Sequence, residues 1–411
     1  MSTARLNNSD FKAPEIVSTL FQRSLGVGLL FGVVSLVCAV LPATREQFFR
    51  SYLLGFMLWL GAALGCMAFL MIQHLTGGKW GMVIRRQLEA GMKTLPLMAA
   101  LFIPIVFGMR YLYSGDGERH GWLNATKSDG HLFDLSQMYL THNGFIVRAI
   151  VYFIIWLAIA FFLSRMSARQ DNPPLENLSP RFRTIAAPGL ILYAFTISFA
   201  VIDWVMSTDP RWISTIYGFI FIVGECITAL CLMVVIERIL MNYEPMASML
   251  KPKEVHDHGK LLLAFVMLWA YFSFSQLLII WAGNLPTEIT FFTRRLNSGW
   301  QTIALWLVLF HFAVPFIFLL SRSFKRNPRT LVRLASWMIF MRFVDLFWYI
   351  EPNFHKGVFV SPLALLDIVV PVGIGGLWLA MFFRNLAARP LLPVYDLHAQ
   401  EFLEYVGASH E

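Results

Sequence analysis

Charged residues are scarce in this sequence. Only 14% of its 411 residues carry a charge, against roughly 25% in a typical soluble domain, and 57% are hydrophobic. This composition excludes a soluble globular protein. The net charge of +8 does not indicate nucleic-acid binding, because the basic residues stand in short segments between long apolar runs, as they do in membrane proteins.

Motifs for redox cofactors are also missing. The four cysteines, Cys38, Cys66, Cys226 and Cys231, lie inside apolar runs, and none belongs to a CxxC, CxxCH or ferredoxin-type spacing. A haem with two histidine ligands needs two histidines deep in the membrane, and His311 is the only histidine in the middle of an apolar run. The sequence therefore predicts that this chain itself binds no redox cofactor and no metal.

Ten apolar runs are long enough to cross a bilayer, which takes about 20 residues in a helix. The first run begins too late and is too long for an ordinary signal peptide. We expect an all-α integral membrane protein with an N-terminal segment at 1–23, one transmembrane domain of ten helices at 24–387 and a tail at 388–411. The predicted spans are 24–41, 52–75, 94–112, 144–163, 185–206, 213–240, 261–281, 299–320, 331–350 and 358–383.

The loops between these spans differ in charge. With ten spans, Lys and Arg are concentrated on one side of the membrane and are much rarer on the other. Because basic loops stay in the cytoplasm, this asymmetry predicts that both termini are cytoplasmic. On the same side, residues 78–91 mix apolar residues with Arg85 and Arg86, which predicts a short helix lying in the membrane interface.

Ionisable residues inside the spans are candidate functional residues, because a charge in hydrocarbon is costly without a partner. Arg342, Asp345 and Tyr349 follow a spacing of three and then four, so they share one face of a helix. Arg342 and Asp345 can form a purely structural ion pair. The alternative is a proton pathway from the outer face to the membrane centre. Its candidate residues are Asp203, Glu225, His311, Arg342, Asp345 and Asp367.

Two of these candidates lie one helical turn before a proline. His311 precedes Pro315, and Asp367 precedes Pro371. Because proline has no N–H, the carbonyl one turn earlier loses its helical donor, which favours bound water or a kinked cavity beside the polar side chain. A histidine that hydrogen-bonds across a helix interface is the plainer explanation of His311. The inner half of the spans offers few titratable groups, so a complete proton pathway is not predicted.

Several long, aromatic-rich segments carry a resemblance to a known family. Residues 203–218 read DWVMSTDPRWISTIYG, and LWAYFSFSQ at 268–276 is followed by IWAGNLP at 280–286. Residues 295–300 read RLNSGW and lead to LFHFAVP at 309–315. In this order, and with ten spans, the sequence resembles the F subunit of bacterial alternative complex III, which is related to membrane subunits of the polysulfide-reductase type.

This resemblance implies two four-helix bundles with flanking helices in the bacterial inner membrane. It implies a cofactor-free subunit, not an enzyme alone, of a quinol:cytochrome c or quinol:terminal oxidase oxidoreductase complex. The implied partners are a paralogous quinol-binding membrane subunit, an iron–sulfur subunit, haem c subunits and, where it accepts the electrons directly, a terminal oxidase.

The resemblance leaves open whether this subunit binds menaquinone or ubiquinone itself or only conducts protons. A quinone site needs hydrogen-bonding groups beside an apolar slot open to lipid. Candidates for such a polar cavity are Trp204, Tyr271, Gln276 and Tyr349, with Asp203 beside them, although ordinary helix packing also explains these residues. Proton conduction is the preferred interpretation.

Two other classes of function are considered. A secondary transporter also carries buried carboxylates and broken helices, but the sequence has no paired, glycine-interrupted half-helices in two matching halves. A passive membrane scaffold of the complex predicts that neutralising Asp203 or Glu225 leaves turnover unchanged.

Overall fold

The computed structural model describes residues 11–115, 121–175, 177–250, 252–355, 357–358 and 362–408. Within these ranges the chain is almost entirely helical and contains no β-strand. Residues 1–10 of the predicted N-terminal segment and residues 409–411 of the predicted tail lie outside the described residues.

The first half of the chain departs from the prediction at the third span. A single helix was expected over 94–112, but Pro96 and Pro104, which cannot donate a backbone hydrogen bond, each stand in the first turn of a separate short helix. The helices of this half are α1 (Glu15–Val40), α2 (Arg45–Thr76), α3 (Lys79–Met92), α4 (Leu95–Leu101), α5 (Ile103–Phe107), α6 (Met109–Tyr113), α7 (His131–Met138), α8 (His142–Arg169) and α9 (Ser179–Trp204).

The second half contains the remaining spans and several short surface helices. The eighth span of the chain, Trp300–Leu320, passes through a π-helical segment, Leu307–Ala313. The helices of this half are α10 (Tyr217–Leu240), α11 (Met246–Met249), α12 (Pro252–Gly283), α13 (Thr290–Arg295), α14 (Trp300–Trp306), α15 (Val314–Leu320), α16 (Arg322–Arg326), α17 (Pro328–Ile350), α18 (Leu366–Ala387) and α19 (Leu397–Ala408).

Nine segments of the described chain are long and apolar enough to cross a membrane. They are Glu15–Val40, Arg45–Thr76, Lys79–Phe107, His142–Arg169, Ser179–Thr208, Tyr217–Leu240, Pro252–Gly283, Trp300–Leu320 and Leu363–Ala387. Helix α17, which has 23 residues including Arg329, Arg333, Arg342 and Asp345, packs against α10 among these segments. The protein is therefore an all-α, multi-pass membrane protein of about ten helices, which confirms the predicted fold class.

The spans pack as two four-helix bundles. The first contains α2, α8, α9 and the broken third span, and the second contains α10, α12, α17 and the eighth span. Helices α1 and α18 pack along each other, and both contact α2 at the side of the bundles. Helix α2 also contacts α10, so it joins the two bundles.

The junction of α2 with α10 depends on glycine. A Cβ atom at Gly65 would lie 2.2 Å from the carbonyl oxygen of Glu225, and one at Gly61 would lie 3.0 Å from the Glu225 side chain. Small residues allow membrane helices to approach this closely. The close contact places Glu225 at the boundary between the bundles.

The predicted interfacial helix at residues 78–91 is wrong. Helix α3 is buried from Gly81 to Met92, and it packs against α2 and α18. Its charged residues tolerate this burial because they are paired. Arg85 Nη1 lies 2.5 Å from Asp396 Oδ2, and Arg86 Nη1 lies 2.8 Å from Glu89 Oε2. The amphipathic pattern of this segment thus arises from ion pairs inside the protein.

Candidate functional site

Arg342 and Asp345 form a buried ion pair on α17, as their spacing predicted. The guanidinium Nη1 contacts Asp345 Oδ2, which also accepts a hydrogen bond of 3.2 Å from Nε1 of Trp269 on α12. The second carboxyl oxygen, Asp345 Oδ1, has no hydrogen-bond partner among the described residues. One guanidinium and one indole therefore hold this carboxylate at a single oxygen.

His311 lies beside the same tryptophan, within the π-helical segment that precedes Pro315. Its ring meets Trp269 edge-to-face at 4.4 Å, and in the described part of the chain neither ring nitrogen has a hydrogen-bond partner. The helix is π-helical here, and Trp337 Nε1 donates a 3.0 Å hydrogen bond to the Phe310 carbonyl. The expected cross-helix hydrogen bond from His311 is not found.

Glu225 adjoins this group from α10. The Tyr193 hydroxyl donates a 2.6 Å hydrogen bond to Glu225 Oε2, while Glu225 Oε1 is buried without a partner in the described structure. A Cβ at the neighbouring Gly224 would lie 2.2 Å from Arg342 Cζ, so the guanidinium rests directly on the backbone next to Glu225. These contacts form one group, which we call the central cluster: Tyr193, Glu225, Trp269, His311, Arg342 and Asp345.

The structure places Asp203 elsewhere, in the first bundle. Arg148 on α8 donates hydrogen bonds of 2.8 and 2.9 Å to its two carboxyl oxygens, and the Tyr152 hydroxyl donates a third of 2.8 Å. Arg148 also stacks over the ring of Tyr139 at 4.0 Å. Both oxygens of Asp203 are thus occupied, and none of its hydrogen-bond partners belongs to the central cluster.

Asp367 belongs to a second group near the N-terminal ends of α2 and α18, on the face that the loop charges predict to be the outer one. Asp367 Oδ1 accepts hydrogen bonds from Gln47 Nε2 at 2.9 Å and from Ser51 Oγ at 2.5 Å. Gln47 Oε1 in turn lies 3.0 Å from His355 Nε2. Helix α18 continues through Pro371 without interruption. With Arg50 and Glu351, these residues form the outer cluster: Gln47, Arg50, Ser51, Glu351, His355 and Asp367.

Glu351 is a buried carboxylate that the sequence reasoning missed. It follows the last residue of α17, and neither carboxyl oxygen has a hydrogen-bond partner among the residues described. Burial, together with the charge of Asp367, raises the pKa of Glu351 well above its ordinary value, against the opposing charge of Arg50. His355 Nε2 lies 3.5 Å away, and burial and Arg50 lower the pKa of this imidazole. The only sign in the sequence that Glu351 is buried is its position directly after the predicted span that ends at residue 350.

The four candidates for a quinone or polar cavity do not converge. Trp204 is fully buried among aromatic rings of the first bundle, whereas Tyr271 on α12 is 64% exposed on the outside of the molecule. Gln276 accepts a hydrogen bond from Ser214, and Tyr349 packs against the ring of Tyr217 at 5.5 Å. An apolar groove of about 370 Å³ lies between α1, α2, α5 and α18, but none of these four residues lines it.

A buried pair in the second bundle, on the side that the sequence predicts to be the inner one, was also missed. His258 Nδ1 lies 2.9 Å from Glu237 Oε2, and His258 Nε2 lies 2.8 Å from the Trp80 carbonyl oxygen. The apolar run of this helix starts only at Leu261, whereas α12 begins at Pro252, so hydropathy does not mark His258 as part of the helix. Two titratable groups therefore stand where the sequence predicted few.

Comparison with protein-family models and with curated proteins gives no match to this sequence. The resemblance described above therefore rests on the motif residues alone.

Proposed function

We propose that this chain is a membrane subunit of a bacterial quinol-oxidising respiratory complex and that it conducts protons through the central cluster. The aromatic-rich motifs support the first part. The second part depends on one observation: within the described structure, Glu225 Oε1, Asp345 Oδ1 and both ring nitrogens of His311 are buried without hydrogen-bond partners. Trp269 contacts both His311 and Asp345, and Arg342 contacts both Asp345 and the backbone next to Glu225.

Unpaired buried atoms of this kind lower the stability of the fold if the residues serve only to hold the structure together. A buried polar group without a partner destabilises the fold by about 1–3 kcal/mol. Inside a membrane protein, polar atoms of this kind are usually satisfied by water or mark a path for protons or ions. Several of them in one connected cluster favour a hydrated proton path over an inert ion pair.

The charges of the central cluster also suit proton exchange. Arg342 supplies one fixed positive charge, and Glu225 and Asp345 supply two carboxyl groups. One guanidinium balances one carboxylate, so the second carboxyl group is most stable with a proton. A proton can then be held by either acid without leaving a net buried charge.

Further titratable groups lie beyond the central cluster in both directions along the helices. Glu237 lies on the same helix as Glu225, about 18 Å further along α10 at 1.5 Å per residue, and pairs with His258. The outer cluster contains Glu351 and Asp367. These buried acids extend the proposed path beyond the residues that the sequence suggested.

Proton conduction is favoured over quinone binding by this subunit. A quinone site needs its hydrogen-bonding groups around one apolar slot. Trp204, Tyr271, Gln276 and Tyr349 lie in separate surroundings, and Asp203 is occupied by Arg148. We therefore assign the quinol pocket of the proposed complex to a partner subunit.

The test is a pair of isosteric variants, Glu225→Gln and Asp203→Asn, in the assembled complex sealed in vesicles. Quinol oxidation and proton release are measured together. We expect E225Q to lose proton release in excess of the protons that quinol itself yields, because Gln cannot hold an exchangeable acid proton. D203N is the matched control and should keep the proton stoichiometry.

The other functions predict different results. A passive scaffold predicts wild-type turnover and proton release in E225Q. A secondary transporter predicts that a tagged chain purifies alone, whereas the proposed function requires haem c subunits to co-purify with it. Purification without any haem protein would contradict the respiratory assignment, and unchanged proton release in E225Q would contradict the proton path.

A further inference from the structure

An apolar groove of about 370 Å³ lies between the eighth span, α16 and α17, at the surface of the second bundle. Four aromatic residues line it: Phe310, Phe318, Phe324 and Trp337. Phe318 is 46% exposed and Trp337 is 39% exposed, so the groove is open to the lipid around the protein. None of its lining residues belongs to the central cluster or the outer cluster.

The groove extends from the start of α17 into one half of the membrane. Thr330, Arg333 and Trp337 are three and then four residues apart, so they form one stripe of α17 along the groove. This stripe covers about 10 Å at 1.5 Å per residue. At its deep end, the 3.0 Å hydrogen bond from Trp337 Nε1 to the Phe310 carbonyl joins the two walls. A spanning helix of a partner needs about 30 Å of apolar surface, so the length of the groove suits an acyl chain from one leaflet.

The end of the groove at the membrane face is basic. Residues 321–333, which connect the eighth span to α17 and form its first turns, contain five basic residues and no acid. They are Arg322, Lys325, Arg326, Arg329 and Arg333. Arg333 lines the groove, is exposed, and makes no hydrogen bond or ion pair with any described residue. Its guanidinium is therefore available to a ligand.

Acids on the neighbouring helix do not cancel this charge. Helix α12 packs against α16, and its first turns contain Glu254 and Asp257 together with Lys253 and Lys260. Asp257 lies 2.8 Å from Lys260, and neither acid lines the groove. Residues 252–260 and 321–333 together contain seven lysines and arginines and two acids, so this face remains positive with both acids ionised. It attracts an anionic group.

We propose that this groove binds one anionic phospholipid from the leaflet on the side where α17 begins. One acyl chain lies along the aromatic wall, and the phosphate lies beside Arg333. The loop charges predict that this side is the cytoplasmic one. Basic pockets between transmembrane helices on the cytoplasmic side bind anionic headgroups. The apolar groove and the unpaired guanidinium at its end thus match the two parts of one lipid molecule.

The first experiment compares Arg333→Gln with Arg181→Gln in the full chain purified from its membrane. Arg181 is also exposed and lies in the first turn of α9, on the same predicted side, but it does not line the groove. Native mass spectrometry measures binding of phosphatidylglycerol and of diacylglycerol with the same acyl chains. We expect R333Q to weaken phosphatidylglycerol binding about fivefold, the effect of one basic residue near an anionic lipid, and R181Q to leave it unchanged.

The second experiment tests the position of the acyl chain. Val314 also lines the groove, and Val314→Phe places a larger side chain there. We expect V314F to weaken binding of both lipids, whereas R333Q weakens binding of phosphatidylglycerol alone. A photoreactive phenylalanine, p-benzoylphenylalanine, placed at position 318 in the assembled protein in its membrane should form an adduct with the mass of a phospholipid.

Four results would overturn the inference. Equal weakening in R333Q and R181Q, or in neither, would show that the lipid is not held beside Arg333. Diacylglycerol binding as tight as phosphatidylglycerol binding would exclude recognition of the phosphate. Unchanged binding in V314F would show that the acyl chain lies elsewhere. An adduct of position 318 with a protein chain would assign the groove to a partner helix.

Discussion

The two residues of the Arg148–Asp203 ion pair differ in burial, so we expect the replacement of each residue to lower the stability of the protein by a different amount. The Asp203 side chain is fully buried, whereas 22% of the Arg148 side chain is exposed. Replacing Arg148 by Met removes its two hydrogen bonds to Asp203 and the one to the Tyr139 carbonyl, and it leaves a carboxylate without its cation inside the first bundle. Replacing Asp203 by Asn leaves a guanidinium that can still reach water.

The expected magnitudes follow from this difference in burial. Breaking a buried ion pair by removing one partner costs about 3–5 kcal/mol. The Tyr152 hydroxyl still donates to Asp203 in R148M, so the loss should fall near the lower end, about 3 kcal/mol. In D203N the free energy of unfolding falls by the contribution of the lost charge-assisted hydrogen bonds, about 1.5–3 kcal/mol. The loss is smaller still because Arg148 is partly hydrated.

The assay is thermal unfolding of the purified variants in one detergent, followed by the loss of the monodisperse peak in size-exclusion chromatography. We expect the midpoint to fall in the order wild type, D203N, R148M. The double variant R148M/D203N should recover part of the loss, because neither charge is then left alone. A D203N midpoint at or below that of R148M would refute the assignment of Asp203 as the desolvated partner.

Two further predictions concern the outer cluster and the helix junction. Burial and Asp367 raise the pKa of Glu351 above its ordinary value of 4.5, so the folded protein binds a proton there and should lose stability as pH rises from that value towards the raised pKa. E351Q should flatten this part of a pH series of unfolding midpoints, and an unchanged slope would contradict the burial of Glu351. Gly65→Ala should destabilise the protein by about 3 kcal/mol, because its Cβ meets the Glu225 carbonyl, whereas Gly26→Ala, with nothing within 4 Å, should leave the yield of folded protein unchanged. Equal yields of the two glycine variants would argue against the close packing of α2 on α10.

The sequence by itself determined the membrane class, most of the helices and one ion pair. Apolar runs must form helices in lipid because every backbone polar group needs an internal hydrogen bond there. Arg342 and Asp345 are three residues apart on one helix, so their pairing needed no knowledge of the tertiary structure.

Only the tertiary structure decided which of the other polar residues have partners. Asp203 pairs with a residue 55 positions away, and Asp367 bonds to Gln47, which is 320 positions away. The ends of α2 and α12, where Gln47 and His258 lie, extend beyond the apolar runs that marked those helices. In a membrane protein, faces that meet lipid and faces that meet another helix have similar apolar composition, so the sequence does not reveal which helices pack together. The pairing of distant helices therefore separated Asp203 and Asp367 from the central cluster.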